Sequence, residues 1–215
     1  MYDKRTFGKS LGASFTVLVV IALLVMSSGV AYAVPLAGIG GFTIQADKLT
    51  AESAIIYPGV DDTSNQDAYP MAVVEQKNVT IKGLRLIKTI DVSSIPGLSG
   101  QARIVMTANG AVTADQQMVK ITHLQAETAV FNQQVIDESN AEDPSRSFGI
   151  WMGDASETQN KLENGRIVDL KNDGPAQKLV NTTIQAHYLA SSSISLPGLD
   201  LQVQYDSDGD GNYNE

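Results

Sequence analysis

The chain has 215 residues, no cysteine and a formal charge of −9, with 43% hydrophobic and 6% aromatic residues. Without cysteine there are no disulfides, thiolate metal sites or cysteine nucleophiles. The acidic balance, with no run of Lys and Arg interleaved with aromatics, excludes a phosphate-binding surface, so nucleic acid is not an expected partner.

The first residues have the pattern of an export signal. Lys4, Arg5 and Lys9 precede an uncharged apolar stretch, "LGASFTVLVVIALLVM" from Leu11 to Met26. "SSGVAYA" then ends on Ala31-Tyr32-Ala33, the small-x-small pattern of a signal peptidase site. Residues 1–33 are therefore expected to be a signal peptide cut after Ala33. The alternative is an uncleaved anchor over residues 10–33, since the apolar run nears the ~20 residues of a spanning helix. Both readings put the remainder outside the cell or on the outer face of its envelope. That remainder carries 12 basic against 23 acidic residues, a charge of −11. Residues 34–205 are expected to form one β-rich domain, and residues 206–215 an acidic tail rich in Asp, Gly and Asn.

In "FTIQADKLTAESAI", Phe42 to Ile55, Phe42, Ile44 and Ala46 alternate with Thr43, Gln45 and Asp47, the period of a half-buried strand. Pro58-Gly59 is expected to close that strand. "DDTSNQDAYP", Asp61–Pro70, reads as a polar loop. "NVTIKGLRLIKTI", Asn78–Ile90, reads as a strand with a bulge at Gly83, and "ARIVMTAN", Ala102–Asn109, alternates cleanly. In "VKITHLQAETAVF", Val119 to Phe131, parity slips after His123, which predicts a β-bulge or bend. "DESNAEDPSRS", Asp137–Ser147, reads as a second polar loop. "DASETQNKLENG", Asp154–Gly165, predicts the one short helix, and "GRIVDL" after Asn164-Gly165 a strand. "NTTIQAHYLASSSISL", Asn181–Leu196, and "LDLQVQY", Leu199–Tyr205, complete the strands. Pro96-Gly97-Leu98 and Pro197-Gly198-Leu199 mark turns. The expected fold is mostly β: a single antiparallel β-sandwich or curved, taco-like sheet with at most one short helix.

"LTAESAI" at Leu49–Ile55 returns as "LQAETAV" at Leu124–Val130. The echo predicts equivalent strands in an internally similar domain, whose small residues let another strand or sheet approach. Coincidence between Ala-rich strands is the alternative, because no fixed short period emerges.

Chemistry is sparse. No G-x-S-x-G occurs, and only His123 and His187 offer an imidazole base, so no catalytic residue is expected. His123 is placed on the side of Val119 and Ile121. The two histidines lack zinc-ligand spacing. Asp61-Asp62 and Glu142-Asp143 read as solvated loop charge, and "GIGG" at Gly38–Gly41 lacks the Lys of a phosphate loop. Asn78-Val79-Thr80 and Asn181-Thr182-Thr183 fit the glycosylation acceptor pattern. The tail "DSDGDGNYNE" places Asp206, Asp208 and Asp210 at positions 1, 3 and 5 of a calcium loop, Gly211 at 6 and Asn212 at 7. It lacks the bidentate Glu of position 12, so the expected calcium affinity is weak, about 10⁻⁴–10⁻³ M.

"GFTIQADKLTAESAIIYPG", "KNVTIKGLRLIK", "ITHLQAETAVF" and "TIQAHYLASSSISLPGLDLQVQY", with the leader, resemble a family of exported prokaryotic β-rich proteins of unknown function. Some of its members carry an automatic cholesterol esterase label. Some are encoded beside a small multi-pass membrane protein, which implies an integral membrane partner. Paired cysteines in that family have no counterpart here, so no disulfide-based role carries over. The "i-x-A-d-x-L" phrasing also looks like the elongated sheets of lipid-transport proteins, which implies a lipid-like ligand. The expected function is an exported, non-enzymatic, envelope-associated binding module. A structural surface or assembly protein is the alternative, and a hydrolase a distant third.

Overall fold

Period-two alternation dictates strands along most of this chain, and a computed structural model describes residues 40–63, 66–153 and 174–213. The strands are β1 (Phe42–Ala51), β2 (Ser53–Asp61), β3 (Tyr69–Lys82), β4 (Arg85–Asp91), β5 (Gln101–Ala108), β6 (Val112–Phe131), β7 (Val135–Glu138), β8 (Phe148–Gly153), β9 (Gln177–Ser191), β10 (Ile194–Ser195) and β11 (Leu199–Asp206). A single turn of helix, α1 (Pro144–Ser147), precedes β8; Asp143 caps it by accepting from Ser145 N. It falls in a segment that reads as loop, whereas the helix expected at Asp154–Gly165 and the strand expected at Gly165–Leu170 lie outside the described residues. No helix among the described residues is long and apolar enough to cross a membrane.

All the strands belong to one antiparallel sheet, in the order β11-β5-β4-β1-β9-β6-β3-β2-β8-β7 with β10 on β6. A further pairing, β1 with β3, makes the sheet curl and meet itself, so β1, β9, β6 and β3 form a closed ring. Two long hairpins build it. The first pairs β1 and β2 with β3 and β4, in one continuous register from Thr43↔Ile87 through Thr50↔Thr80 to Asp61↔Tyr69. The second pairs β6 with β9 and β10, from Phe131↔Gln177 to Thr113↔Ser195. The main core fills the ring with residues such as Leu49, Val79, Val112, Leu179 and Ala186.

The echoed heptapeptides occupy corners of this ring. The first copy is not one strand: it turns at Glu52, between β1 and β2. The second runs unbroken within β6. What the copies share in the fold is the setting of their fourth residue. Glu52 lies opposite Asn78, between the pairs Ser53↔Lys77 and Thr50↔Thr80. Glu127 lies opposite Asn181, between Ala126↔Thr182 and Thr128↔Val180. Both asparagines are left-handed, with φ of 50° and 47°. Asn78 Nδ2 donates to Glu52 Oε2 at 2.5 Å, and Asn181 Nδ2 donates to Glu127 Oε2. On their other edges stand Asp115 and Asp47, by register. Each asparagine thus sits between two acidic residues on neighbouring strands.

Inward parity switches along these rows. In β3 the buried residues pass from Val74 and Gln76 to Val79 and Ile81; in β9 they pass from Gln177 and Leu179 to Thr182, Ile184 and Ala186. Aligned irregularities of this kind let strands turn from one layer of a curled sheet into the other.

Three expectations need correction. Pro58 and Gly59 do not end a strand; they pair with Ala72 and Met71 inside β2. The β8 partners of β2 stop at Ile56, so proline's missing N–H falls where that edge is open. A Cβ on Gly59 would come within 2.5 Å of Val73 Cγ2, which explains glycine there. Gly83, at φ 65°, kinks the chain between β3 and β4 without inserting a residue, because Lys48↔Lys82 and Gln45↔Arg85 keep one register. The parity slip in β6 is present, with register irregularities between Lys120 and His123. It turns His123 outward, away from the buried Val119 and Ile121.

An L residue with a Cβ pays about 1–2 kcal/mol for left-handed φ, which asparagine relieves by local hydrogen bonding and glycine avoids. Asn181→Ala is therefore expected to lower the unfolding free energy by about 1–2 kcal/mol, and Asn181→Gly by less. Urea denaturation of both variants checks this, and equal losses would show that the backbone conformation is not what asparagine supplies.

Candidate binding cavity

Because β1, β3, β6 and β9 close into a ring, their inward residues enclose space as well as core. A cavity of about 230 Å³ lies inside, walled by side chains including Ile44, Leu49, Ile81, Val119, Leu179 and Ile184. Among the described residues its polar lining is Gln76, Gln117 and Gln177. Leu86, Leu189 and Leu196 of its lining are only half-buried and Ile194 is 44% exposed, so it opens on the side of β4, β9 and β10.

The three glutamines form one row. Gln117 on β6 is the register partner of Gln76 on β3, and its Nε2 donates to Gln76 Oε1 at 2.5 Å. Gln76 Nε2 then crosses the ring to donate to Oε1 of Gln177, the first residue of β9. Gln76 and Gln117 also border a surface groove with Glu75, Lys77 and Ser191. Gln177 is 0% exposed, and its Nε2 has no hydrogen-bond partner among the described residues. Buried amides are normally paired, since an orphaned donor costs roughly 1–3 kcal/mol. The row therefore ends in a buried, unmatched donor. Nothing in the sequence order signals it: the three residues meet only because β3, β6 and β9 share the ring.

Outside the mouth the apolar surface continues. Leu86 on β4 pairs with Met106 on β5, and Met106 with Leu201 on β11; register partners share a face. Leu199, Leu201 and Val203 are all exposed, Val203 by 67%, while Gln204 and Asp206 of the same strand are buried. The clean alternation of "LDLQVQY" thus marks a strand whose apolar residues face out, because β11 is the sheet's edge and no layer among the described residues covers it.

The histidines occupy adjacent strands. His187 Nε2 lies 3.2 Å from Thr122 Oγ1, and both residues drop out of the β6–β9 register at its irregularity. Burial and then the Lys88 ammonium hold His187 below its ordinary pKa, with Asp61 opposing. Lys88 itself donates to Gly41 O at 2.7 Å. This hydroxyl–imidazole pair lies within paired strands, not on the exposed turn that presents a nucleophile. Asp61 ends β2 in an ion pair with Lys120 at 2.8 Å, and Asp143 caps α1, so two of the loop acids have structural roles.

The tail folds back on the domain. Asp206 is the last residue of β11, 2% exposed, and its carboxylate accepts from Gly209 N at 2.7 Å and Gly211 N at 2.9 Å. Burial works to raise its pKa; the N–H groups of Gly211 and Gly209, with Asp208 and Asp210 N, outweigh it and leave the value lowered. Asn212 donates through both N and Nδ2 to Asp210. Tyr213 stacks under Arg103, 3.9 Å from the ring centroid. The structure brings carboxylate oxygens of Asp206, Asp208 and Asp210 within 4.8 Å of one another. The same carboxylates accept from the loop's own amides: Asp206 from Gly209 and Gly211, Asp208 from Asp210, and Asp210 from Asn212.

The chain belongs to DUF6230, a family of unknown function, whose match spans residues 40–210. No curated protein and no solved structure matches it.

His187 and Asp206 each bind fewer protons folded than unfolded, so each contributes stability above its unfolded pKa and loses it as pH falls. For His187 the loss begins near pH 6.5, and for Asp206 near 3.8. Urea midpoints are expected to fall in two separate stages. His187→Asn should abolish the first and leave the second, and a first stage that persists in this variant would show that His187 is not its source.

Proposed function

We propose that the chain is an exported, non-enzymatic binding module of the cell envelope that takes an apolar, lipid-like molecule into the ring cavity. The observation that carries this reading is the cavity itself. Packed interiors leave few voids larger than a water molecule, yet here a ring of Ile, Leu and Val leaves about 230 Å³ unfilled and reachable from one side. An engineered apolar cavity of about 150 Å³ already binds benzene, so this one has room for a short chain or small ring system. Export rests on the charged start, the apolar run and Ala31-Tyr32-Ala33, which suit a mature protein beginning at Val34. The shortage of positioned nucleophiles supports binding over hydrolysis.

A second reading, a structural protein that assembles through its sheets, is favoured by the exposed Leu199, Leu201 and Val203 on β11. Unpaired apolar edge strands are templates for pairing with another chain. The same edge would suit an integral membrane partner.

Native mass spectrometry of protein purified from the envelope tests the first reading: a bound small molecule is expected. Ile184→Phe, which projects a ring into the cavity, is expected to eliminate that molecule while stabilising the fold by about 0.5–2 kcal/mol. A variant that keeps the molecule would place it elsewhere, on β11 first of all.

A further inference from the structure

The loop between β4 and β5 carries large apolar side chains on a protruding turn. No charged residue occurs from Val92 to Ala102. Leu98 N donates to Ile95 O at 3.0 Å, with Pro96 and Gly97 between them and Gly97 at φ 86°. Proline presets the first central position of such a turn, and glycine accepts the positive φ of the second. A Cβ on Gly97 would meet nothing within 4 Å, so the turn stands clear of the domain. Ile95 is 50% exposed and Leu98 45%, with Ile90 behind them on β4 at 42%. The base of the loop is fixed. Val92 is buried and its N donates to Gly100 O, Ser93 donates to Asp91, and the Tyr205 hydroxyl donates to Ser99 O at 2.7 Å. A loop anchored this firmly holds isoleucine and leucine in water at a cost that a surface contact would remove.

We propose that this tip inserts into the uncharged surface of a lipid bilayer. The chain enters the domain at the same end of the sheet: β1 starts at Phe42, antiparallel to β4, whose last residue Asp91 leads into the loop. Lys88 Nζ and Gln185 Nε2 hold the carbonyls of Gly41 and Gly40 there. The apolar stretch Leu11–Met26 lies upstream, and the chain from Met26 to Gly40 reaches at most about 50 Å, so a membrane-embedded leader delivers this end of the domain to lipid. A narrow turn whose side chains are apolar or serine offers a protein partner no charge to read, whereas lipid needs only the apolar area. Charge selects the kind of lipid. Asp91 stands at the base, and Asp206, against Gly100, leads into Asp208 and Asp210. These carboxylates repel anionic headgroups and leave zwitterionic ones as the fit. The inference is independent of what occupies the ring cavity.

The test uses the chain beginning at Val34, which keeps every described residue and removes the leader, so that any affinity belongs to the domain. Co-sedimentation with phosphatidylcholine vesicles, in EDTA to keep cations off the tail carboxylates, is expected to show reversible binding. Ile95→Ser with Leu98→Ser is expected to weaken it roughly tenfold, from the apolar area withdrawn. Circular dichroism checks that this variant folds. Leu98→Trp reads insertion directly: its emission should shift to the blue with vesicles and be quenched by lipids brominated on their acyl chains, beyond any change in wild type, whose one tryptophan is Trp151. Ile184→Phe should bind vesicles as the wild type does, which separates the tip from the cavity; a loss there would move the contact to the cavity mouth and overturn the role of the tip. No binding by the wild type, equal binding by the serine variant, or Leu98→Trp emission indifferent to vesicles each overturns the proposal. So does binding that requires phosphatidylglycerol, and so does self-association through the tip without vesicle binding.

Discussion

A sheet can meet itself through β1 and β3 only if its long strands turn corners without losing register, and the rest of the structure depends on how this is done. The device is written twice. A left-handed asparagine sits between acidic residues on the flanking strands: Asn78 between Glu52 and Asp115, Asn181 between Asp47 and Glu127. At both places the inward face changes parity while the neighbours stay in step. If only one strand changed parity, every residue beyond would pair out of phase and the core side chains would point to solvent. Because adjacent strands change together, Ile81, Val112, Leu179 and Ile184 all remain inside. The repeated heptapeptide is the trace of this requirement, since each copy brings the glutamate that its asparagine clips.

The closed ring of β1, β9, β6 and β3 also encloses space that its side chains leave open. The chain meets this with Val, Ile and Leu along the walls and a transverse amide row, Gln117 to Gln76 to Gln177. In stability terms the row is a poor filler. Hydrocarbon of equal volume would bury without polar desolvation, and the unpaired Nε2 adds a penalty that leucine would avoid. Its position across the ring, from the β3–β6 wall to the start of β9, is what a purely structural account leaves unexplained.

Much of the fold was legible because period-two alternation is local. Strands β1, β5, β9 and β11 lie where the alternation puts them, and the slip after His123 marks a true irregularity. The errors come from non-local causes. Pro58-Gly59 reads as an ending, but proline's missing N–H matters only on an edge with a partner, and β8 stops at Ile56. β8 itself, "FGIWMG", alternates with glycines that weaken a strand signal, yet it buries Met152 completely. The corners were written as adjacent polar residues, Asp47-Lys48, Lys77-Asn78 and Asp115-Gln116, which locally resemble loop composition. The glutamine row could not be read at all, because no property of Gln76, Gln117 or Gln177 distinguishes it from the chain's other glutamines before topology brings the three together. The tail was half legible: its spacing gives the acidic cluster, but only burial of Asp206 in β11 shows that the cluster is anchored to the domain.

The cavity and the exposed edge are physically one surface. Register carries the inner face outward from Leu86 to Met106 to Leu201, so the chamber's mouth and the β11 stripe share a side of the sheet. Around them the chain is acidic, and a charged surface without this strip would offer an apolar molecule no stable approach. A ligand longer than the chamber has one continuous apolar place for its remaining length, along Leu199, Leu201 and Val203. Equally, a second chain adding a strand to β11 would cover that place and narrow the mouth. In the two proposed roles, a ligand reaching past Met106 and a chain pairing at the edge would draw on the same apolar area, so binding and assembly would share one side of this sheet.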